Sequence, residues 1–194
     1  IMMLYLSTDY VFDGKKGMYR EEDVPNPVKF YGLTKLIAEE VVRSLVEKSI
    51  IVRTSAIYSF GMGRKNFGKF LIEALSQGRR VKAIVDQWLS PTLNTLLAKA
   101  VVELIEKGVY GLYHIAGERV SRYAFAIRLA ERFGFDKNLV EPAKMSDFSW
   151  VARRPRDSSL DCLKAKSVVS TNFNSLDYSL EVLYQEWISQ GRKI

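Results

Sequence analysis

The 194-residue chain is poor in the side chains that hold metals or make disulfides: it has one cysteine, Cys162, and one histidine, His114. A single thiol forms neither an internal disulfide nor a CxxC pair, and one imidazole builds no cluster of ligands, which argues against structural zinc. Long apolar runs are missing as well. None approaches the roughly 20 residues that span a bilayer, and the opening Ile1-Met2-Met3-Leu4-Tyr5-Leu6 is short for a signal segment and lacks its basic flank. A cytoplasmic protein with no membrane partner is expected. No repeat or low-complexity linker divides the chain, and no nucleic-acid motif accompanies its net charge of +7, so the excess charge points to an anionic small molecule or a solvated face rather than to nucleic acid.

A further absence concerns nucleotide binding. A complete dinucleotide-binding fold opens with a strand, a glycine-rich turn such as GxGxxG, and a helix whose N-terminus holds the pyrophosphate. The nearest imitation here, Gly61-Met62-Gly63, has Asn66 where the third glycine belongs, and Gly14-Lys15-Lys16-Gly17 lacks the spacing of a phosphate loop. Both read as ordinary loops. The start on an isoleucine inside a strand-like run adds the expectation that the chain is incomplete.

With 47% hydrophobic residues the chain can bury a core, and its pattern alternates short β-branched runs with longer amphipathic ones. That is the signature of an α/β class: the C-terminal part of a Rossmann-like parallel sheet covered by helices, with a small mixed lobe. A strand is predicted over Met3 to Ser7, its tip buried in the sheet. A helix follows from Phe30 to Glu47, in which Leu33, Ile37, Val41 and Leu45 recur every four residues, and then a strand from Ile50 to Thr54. Helices are predicted from Phe67 to Ser76, from Thr95 to Lys107 with Thr92 as its cap, from Ser121 to Phe133 with Gly134 ending it, and from Asp177 to Ser189. The division expected is 1–135, a catalytic portion with interleaved substrate-binding segments, and 136–194, mainly a substrate-binding lobe and the last helix.

Tyr31 and Lys35 stand four residues apart on the first long helix, so both emerge on one face, one turn apart. A phenol with a pKa of about 10 is a poor proton source, but a fixed ammonium stabilises its phenolate and makes it a usable acid. On helices the pair is also a common accident. Upstream, Ser7-Thr8-Asp9 sets hydroxyls at the carboxyl end of a strand, the edge where open α/β sheets bind ligands.

The segments STDYVFDG, YREEDVPNPVKFYGLTK, IIVRTSAIYSFG, VDQWLSPT and RRPRDSSLD occur in this order and together resemble the dTDP-4-dehydrorhamnose reductases, within the extended short-chain dehydrogenases/reductases. The resemblance implies that Thr8, Tyr31 and Lys35 form the catalytic set and that Ser7, Tyr31 and Lys35 meet the cofactor, NADPH or NADH. It implies reduction of the C4 ketone of a dTDP-sugar, dTDP-4-dehydro-L-rhamnose, with Asn66, Asp86, Gln87, Arg153 and Arg154 on the substrate. The neighbours Thr92, Arg156, Trp88 and Trp150 are weaker candidates of the same kind, and turn, cap, core or solvated-loop roles compete at each of these positions. A homodimer is left open.

Departures from the family's pattern matter too. Many of these reductases carry a tryptophan where this chain has Ala56, which leaves the sugar less secure than the reaction class. Tyr10 replaces the glutamate that follows Thr-Asp in the related 4,6-dehydratases, and Cys162 and His114 do not match the epimerising pair of the GDP-fucose synthases. A non-catalytic binding subunit, like the β subunit of methionine adenosyltransferase, keeps much of the same motif and stands as the rival reading.

Overall fold

The computed structural model describes residues 1–61, 65–150 and 152–190, so Met62 and Gly63 of the glycine-containing loop lie outside the described residues. Strand β1 (Met3–Thr8) runs into one 3-10 turn, Asp9–Val11, and after a long loop helix α1 (Phe30–Leu45) leads to β2 (Ser49–Thr54). Then come β3 (Ile57–Tyr58), α2 (Phe67–Leu75), β4 (Val81–Ile84), β5 (Trp88–Leu89), β6 (Thr92–Leu93), α3 (Asn94–Glu106) and β7 (Gly111–His114). The rest supplies β8 (Val120–Ser121), α4 (Arg122–Phe133), β9 (Val140–Ala143), α5 (Leu163–Lys166) and α6 (Leu176–Ser189). No described helix is long and apolar enough to cross a membrane.

The main sheet is parallel, in the order β1-β2-β7, with Thr8 beside Thr54 and Arg53 beside His114. Central β2 is buried at every residue, as its Ile50-Ile51-Val52 run requires of a strand covered on both faces. Among the described residues β1 pairs with β2 on one side only. Its tip, Ser7 and Thr8, is buried as expected, but Met3, Leu4 and Leu6 are 36–43% exposed. Three short pairs complete the fold: β3 with β6 and β4 with β9 in parallel, β5 with β8 antiparallel. The β4–β9 pair and the bridges Tyr19–Leu160 and Trp88–Asp157 stitch the chain after residue 136 into the chain before it.

Local signals explain most helix ends. The Ser121 hydroxyl accepts from the Ala124 amide, and Gly134 closes α4 at φ +69°. Thr92 is a correction. It lies in β6 and not at a cap; α3 starts at Asn94 behind Leu93 with no side-chain cap, because the buried Thr92 hydroxyl faces the carbonyls of Ser55 (2.7 Å) and Ser90 (2.9 Å). A second difference concerns α1. The stripe that gives the helix its period is turned outward, with Leu33, Ile37, Val41 and Leu45 all exposed, while Gly32, Glu39 and Val42 are buried.

Gly32 is where α1 meets the turn after β1. A Cβ there would lie 2.0 Å from the Tyr10 carbonyl oxygen, so only hydrogen fits and the neighbouring Tyr31 is held against that turn. Gly32→Ala is expected to lower stability by about 1–3 kcal/mol through overpacking, read as a lower urea midpoint at unchanged slope.

Candidate active site

A cavity of about 280 Å³ opens at the carboxyl ends of β1 and β2. Thr8 from the tip of β1, Tyr31 from the first turn of α1, Ser55 and Ala56 after β2, Gln87 before β5 and Arg122 at the start of α4 all line it. This is the edge at which parallel sheets bind ligands, since the chain leaves each strand there and the side chains of several loops converge. The Tyr31 ring is half exposed and meets the ring of Tyr10 edge-on at 6.2 Å between centroids.

The residues expected at a site divide into two groups. Ser7, Thr8, Tyr31 and Gln87 line the cavity. The Ser7 hydroxyl, however, is committed inward to Glu39. Gln87 is fixed at both ends, its Nε2 donating to the Pro155 carbonyl at 3.0 Å and its Oε1 accepting from Arg122 Nε at 2.8 Å. Lys35 sits one turn from Tyr31 but beside the cavity: its Nζ donates to the Leu6 carbonyl at 2.7 Å and lies 4.6 Å from the Tyr5 ring centre.

Asn66 and Asp86 are not brought to this cavity. The Asn66 side chain caps α2 through the Lys69 amide and donates to Ser59, and Asp86 accepts from the Met145 amide at 2.8 Å. Arg153 is exposed, and Arg156 likewise. Arg154 reaches inward, its Nη1 donating to the Tyr10 hydroxyl at 3.0 Å and its guanidinium 5.2 Å from the Trp150 ring centre. Arg154 and Trp150 line a second cavity of about 470 Å³, together with Phe67, Phe70 and Phe148, and Arg122 borders both cavities. Trp88 lies under the Arg119 guanidinium instead.

What holds this arrangement is buried charge. Glu39, fully buried on α1, receives Arg53 of β2 through Nε at 3.0 Å and Nη2 at 2.6 Å, and the Ser7 hydroxyl from β1. Tyr31, Lys35 and Glu39 stand on successive turns of α1, so the turn that buries Glu39 sets the direction of the other two. His114, across the sheet from Arg53, has Nδ1 3.0 Å from the Tyr19 carbonyl; burial, reinforced by Arg53, pushes its pKa down to about 4, which makes it a neutral structural imidazole. Burial likewise pushes the Cys162 thiol up to about 12, an inert side chain. Among the described residues no three His, Cys, Asp or Glu side chains converge on a metal site.

Sequence reasoning passed over three residues here. Asp9, buried in the lining of the cavity, accepts from the hydroxyls of Thr8 (3.0 Å), Ser55 (2.9 Å) and Ser158 (2.6 Å), and its carboxyl pKa is raised, chiefly by burial. It stands in the Ser7-Thr8-Asp9 triplet, where the two neighbouring hydroxyls are the sequence signal for it. Arg122 followed a correctly read cap, but nothing in the sequence aims it at Gln87. Lys29 lies 4.3 Å from the Tyr10 ring centre, and burial, with repulsion from Arg154, brings its pKa down to about 8.

Residues 1–188 match the family model described as the RmlD substrate binding domain. The chain is 37% identical over 176 residues to a dTDP-4-dehydrorhamnose reductase of Aggregatibacter actinomycetemcomitans, covering 84% of this chain and 59% of that protein. It is 30% identical to the crystal structure of a dTDP-4-dehydrorhamnose reductase from Bacillus anthracis in complex with NADP, at a TM-score of 0.86 over 95% of this chain and 66% of that one. It is also 30% identical over 174 residues to the bovine methionine adenosyltransferase 2 subunit beta, covering 86% of this chain and 52% of that protein. The chain thus spans less than two thirds of the length of these relatives.

Removing one partner of the buried pair strands the other's charge in the interior. Glu39→Ala is expected to cost about 3–5 kcal/mol, whereas Glu39→Met combined with Arg53→Met recovers most of it, because two well-packed apolar side chains need no partner. Urea denaturation of the two variants checks this, and a single variant as stable as the parent contradicts it.

Proposed function

We propose, from the premise that this chain belongs to the RmlD substrate binding domain family, that its first cavity receives the ketone of a nucleotide sugar for reduction by NADPH or NADH. The observation that carries the reading is the meeting of the Thr8 hydroxyl and the Tyr31 phenol in one cavity at the carboxyl end of the sheet. The substrate proposed first is dTDP-4-dehydro-L-rhamnose, reduced at C4 to dTDP-L-rhamnose.

The residues present fit the nicotinamide end of the cofactor. Tyr31 and Lys35 offer a phenol and an ammonium from adjacent turns at the open edge of β1, while no glycine-rich turn for the pyrophosphate occurs in the sequence. When bound, the reduced nicotinamide supplies a hydride to the carbonyl carbon. Negative charge then grows on the carbonyl oxygen. Thr8 stabilises that oxygen with a hydrogen bond, Tyr31 gives it a proton, and Lys35 holds the ribose from the next turn.

The nucleotide is placed by charge and stacking. Arg122 borders both cavities, with Arg154 and Lys29 close by, and none of the three forms an ion pair among the described residues. A diphosphate between the cavities satisfies them, with forked guanidinium donors on its oxygens. The base then lies in the second cavity against Phe67, Phe70, Phe148 and Trp150. Ala56, in the wall of the first cavity at φ +42°, adds no ring beside the sugar, which widens the set of 4-ketosugars that fit.

The test supplies NADPH and dTDP-4-dehydro-L-rhamnose to the chain, alone and joined to a dinucleotide-binding βα region, and follows nicotinamide absorbance. Turnover is expected in the joined form. Tyr31→Phe is expected to abolish it with sugar-nucleotide binding kept, and near-parental turnover in that variant rejects the assignment. A pH dependence follows from Lys29, which is cationic below about 8 and neutral above it. Affinity for dTDP, measured by calorimetry, is expected to fall as pH rises through that value, and Lys29→Arg to abolish the fall.

A further inference from the structure

Asp9 is the buried titratable group of the site that the proposed chemistry leaves without a task. It is 5% exposed, and its partners come from three parts of the chain: Thr8 at the tip of β1, Ser55 after β2 and Ser158 in the long tail segment. All three are hydroxyls, groups that can turn their hydrogen either way. No arginine or lysine forms an ion pair with Asp9 among the described residues.

The hydrogens at Thr8 can be followed one by one. Its Oγ accepts from the Tyr10 amide at 3.2 Å and lies 3.0 Å from Asp9 Oδ1. A hydroxyl has one hydrogen to give. If Asp9 is ionised, Oδ1 can only accept, so that hydrogen is drawn to it and Thr8 has nothing to offer an oxygen in the cavity. If Oδ1 carries a proton, its O–H donates to Thr8 Oγ, the second lone pair of Thr8 is filled, and the Thr8 hydrogen is free to point into the cavity. Ser55 and Ser158 then keep Oδ2 satisfied, so the neutral form leaves no acceptor bare.

We propose that Asp9 is a positioning residue that works as a neutral carboxylic acid, turning the Thr8 hydroxyl into the cavity as a donor when protonated and taking that donor back when ionised. The proposal rests on the reading of Thr8 as the group that meets the ketone oxygen. Burial supports it, since taking a carboxyl out of water raises its pKa. The charged and titratable groups around it are Arg122 of α4, Lys29 ahead of α1, and the phenols of Tyr10 and Tyr31 that share the cavity. The hydrogen bonds from Ser158, Ser55 and Thr8 favour the carboxylate, and burial outweighs them; Asp9 in turn favours the charged forms of Lys29 and Arg122.

Two ligand-free measurements on the chain test the switch. Infrared titration follows the protonated-carboxyl band, with Asp9→Asn as the control that removes it. A ¹³C-labelled Thr8 methyl, followed by NMR, reports the state of the neighbouring hydroxyl. The band is expected to persist well above the ordinary aspartate pKa of about 3.9, and the methyl shift to move with it in the parent and not in Asp9→Asn. Titration of Asp9 together with the ordinary aspartates overturns the proposal, and so does a Thr8 methyl that ignores it.

The third measurement is binding of dTDP-4-dehydro-L-rhamnose across the same pH range, with Lys29→Arg in every variant so that the fall expected from Lys29 is absent. The loss of one donor to the ketone predicts a fall of about tenfold in affinity as the band disappears. In Asp9→Asn, whose amide can donate toward Thr8 and accept from the two serines, no such fall is expected. A fall of the same size in that variant counts against the proposal. If the band and methyl behave as expected and the ketosugar binds at no pH, the switch stands and the ketone reading fails.

Discussion

The contact between Glu39 and Arg53 decides how α1 lies on the sheet. By hydropathy alone the helix would turn Leu33, Ile37, Val41 and Leu45 inward, since burying apolar surface is the dominant favourable term in packing. It does the opposite: that stripe is exposed and Glu39 faces the sheet, where without a partner it would cost several kcal/mol. Arg53 reaches it from the central strand with three close nitrogen-to-oxygen contacts, Ser7 adds a hydroxyl from the edge strand, and Phe12 covers the guanidinium at 5.1 Å. Three elements are thereby pinned at one point, and the azimuth of the helix is no longer free. Tyr31 and Lys35, eight and four residues before the glutamate, inherit their orientation from it. A buried ion pair of this kind adds little net stability, but it selects one packing among several.

The charge around the cavity has a consistent layout. The floor is hydroxyl-rich, with Thr8, Ser55 and Ser158 grouped on one buried carboxyl. The rim toward the second cavity is cationic, with Lys29, Arg122 and Arg154 held near aromatic rings. A ligand with an uncharged, oxygen-bearing end and an anionic middle is complementary to this gradient in polarity. The chain's excess of positive charge, which at the level of composition had no address, is thus partly concentrated where a phosphate would neutralise it.

How much of this could be read from the sequence varies with the physics at each position. Period and caps gave the helices: Ser121 and Gly134 act as local rules require, because capping involves only neighbouring backbone. Thr92 had the same local credentials and does something else, since its hydroxyl is drawn to Ser55, far away in sequence. The stripe on α1 was read correctly as a helix, but its direction was invisible, being set by an arginine on another strand. Thr8, Tyr31 and Gln87 were legible through motif and resemblance and do share one cavity. Asp9 was in plain view, but a carboxylate between two named residues carries no mark of burial, and Ser158, its shortest contact, lies 149 positions away. Asn66 illustrates the reverse case: a residue with a motif-based role whose side chain is occupied by its own helix cap.

An edge strand presents its unpaired amides and carbonyls to any strand that aligns with it. Along β1 the Met3 amide bonds back to Lys48, so by the alternation of a parallel ladder the backbone groups of Leu4, Leu6 and Thr8 face the open side. One of these, the Leu6 carbonyl, is where the Lys35 ammonium is tethered. A polypeptide zipping onto this border would claim that oxygen for its own amide and cast the lysine loose.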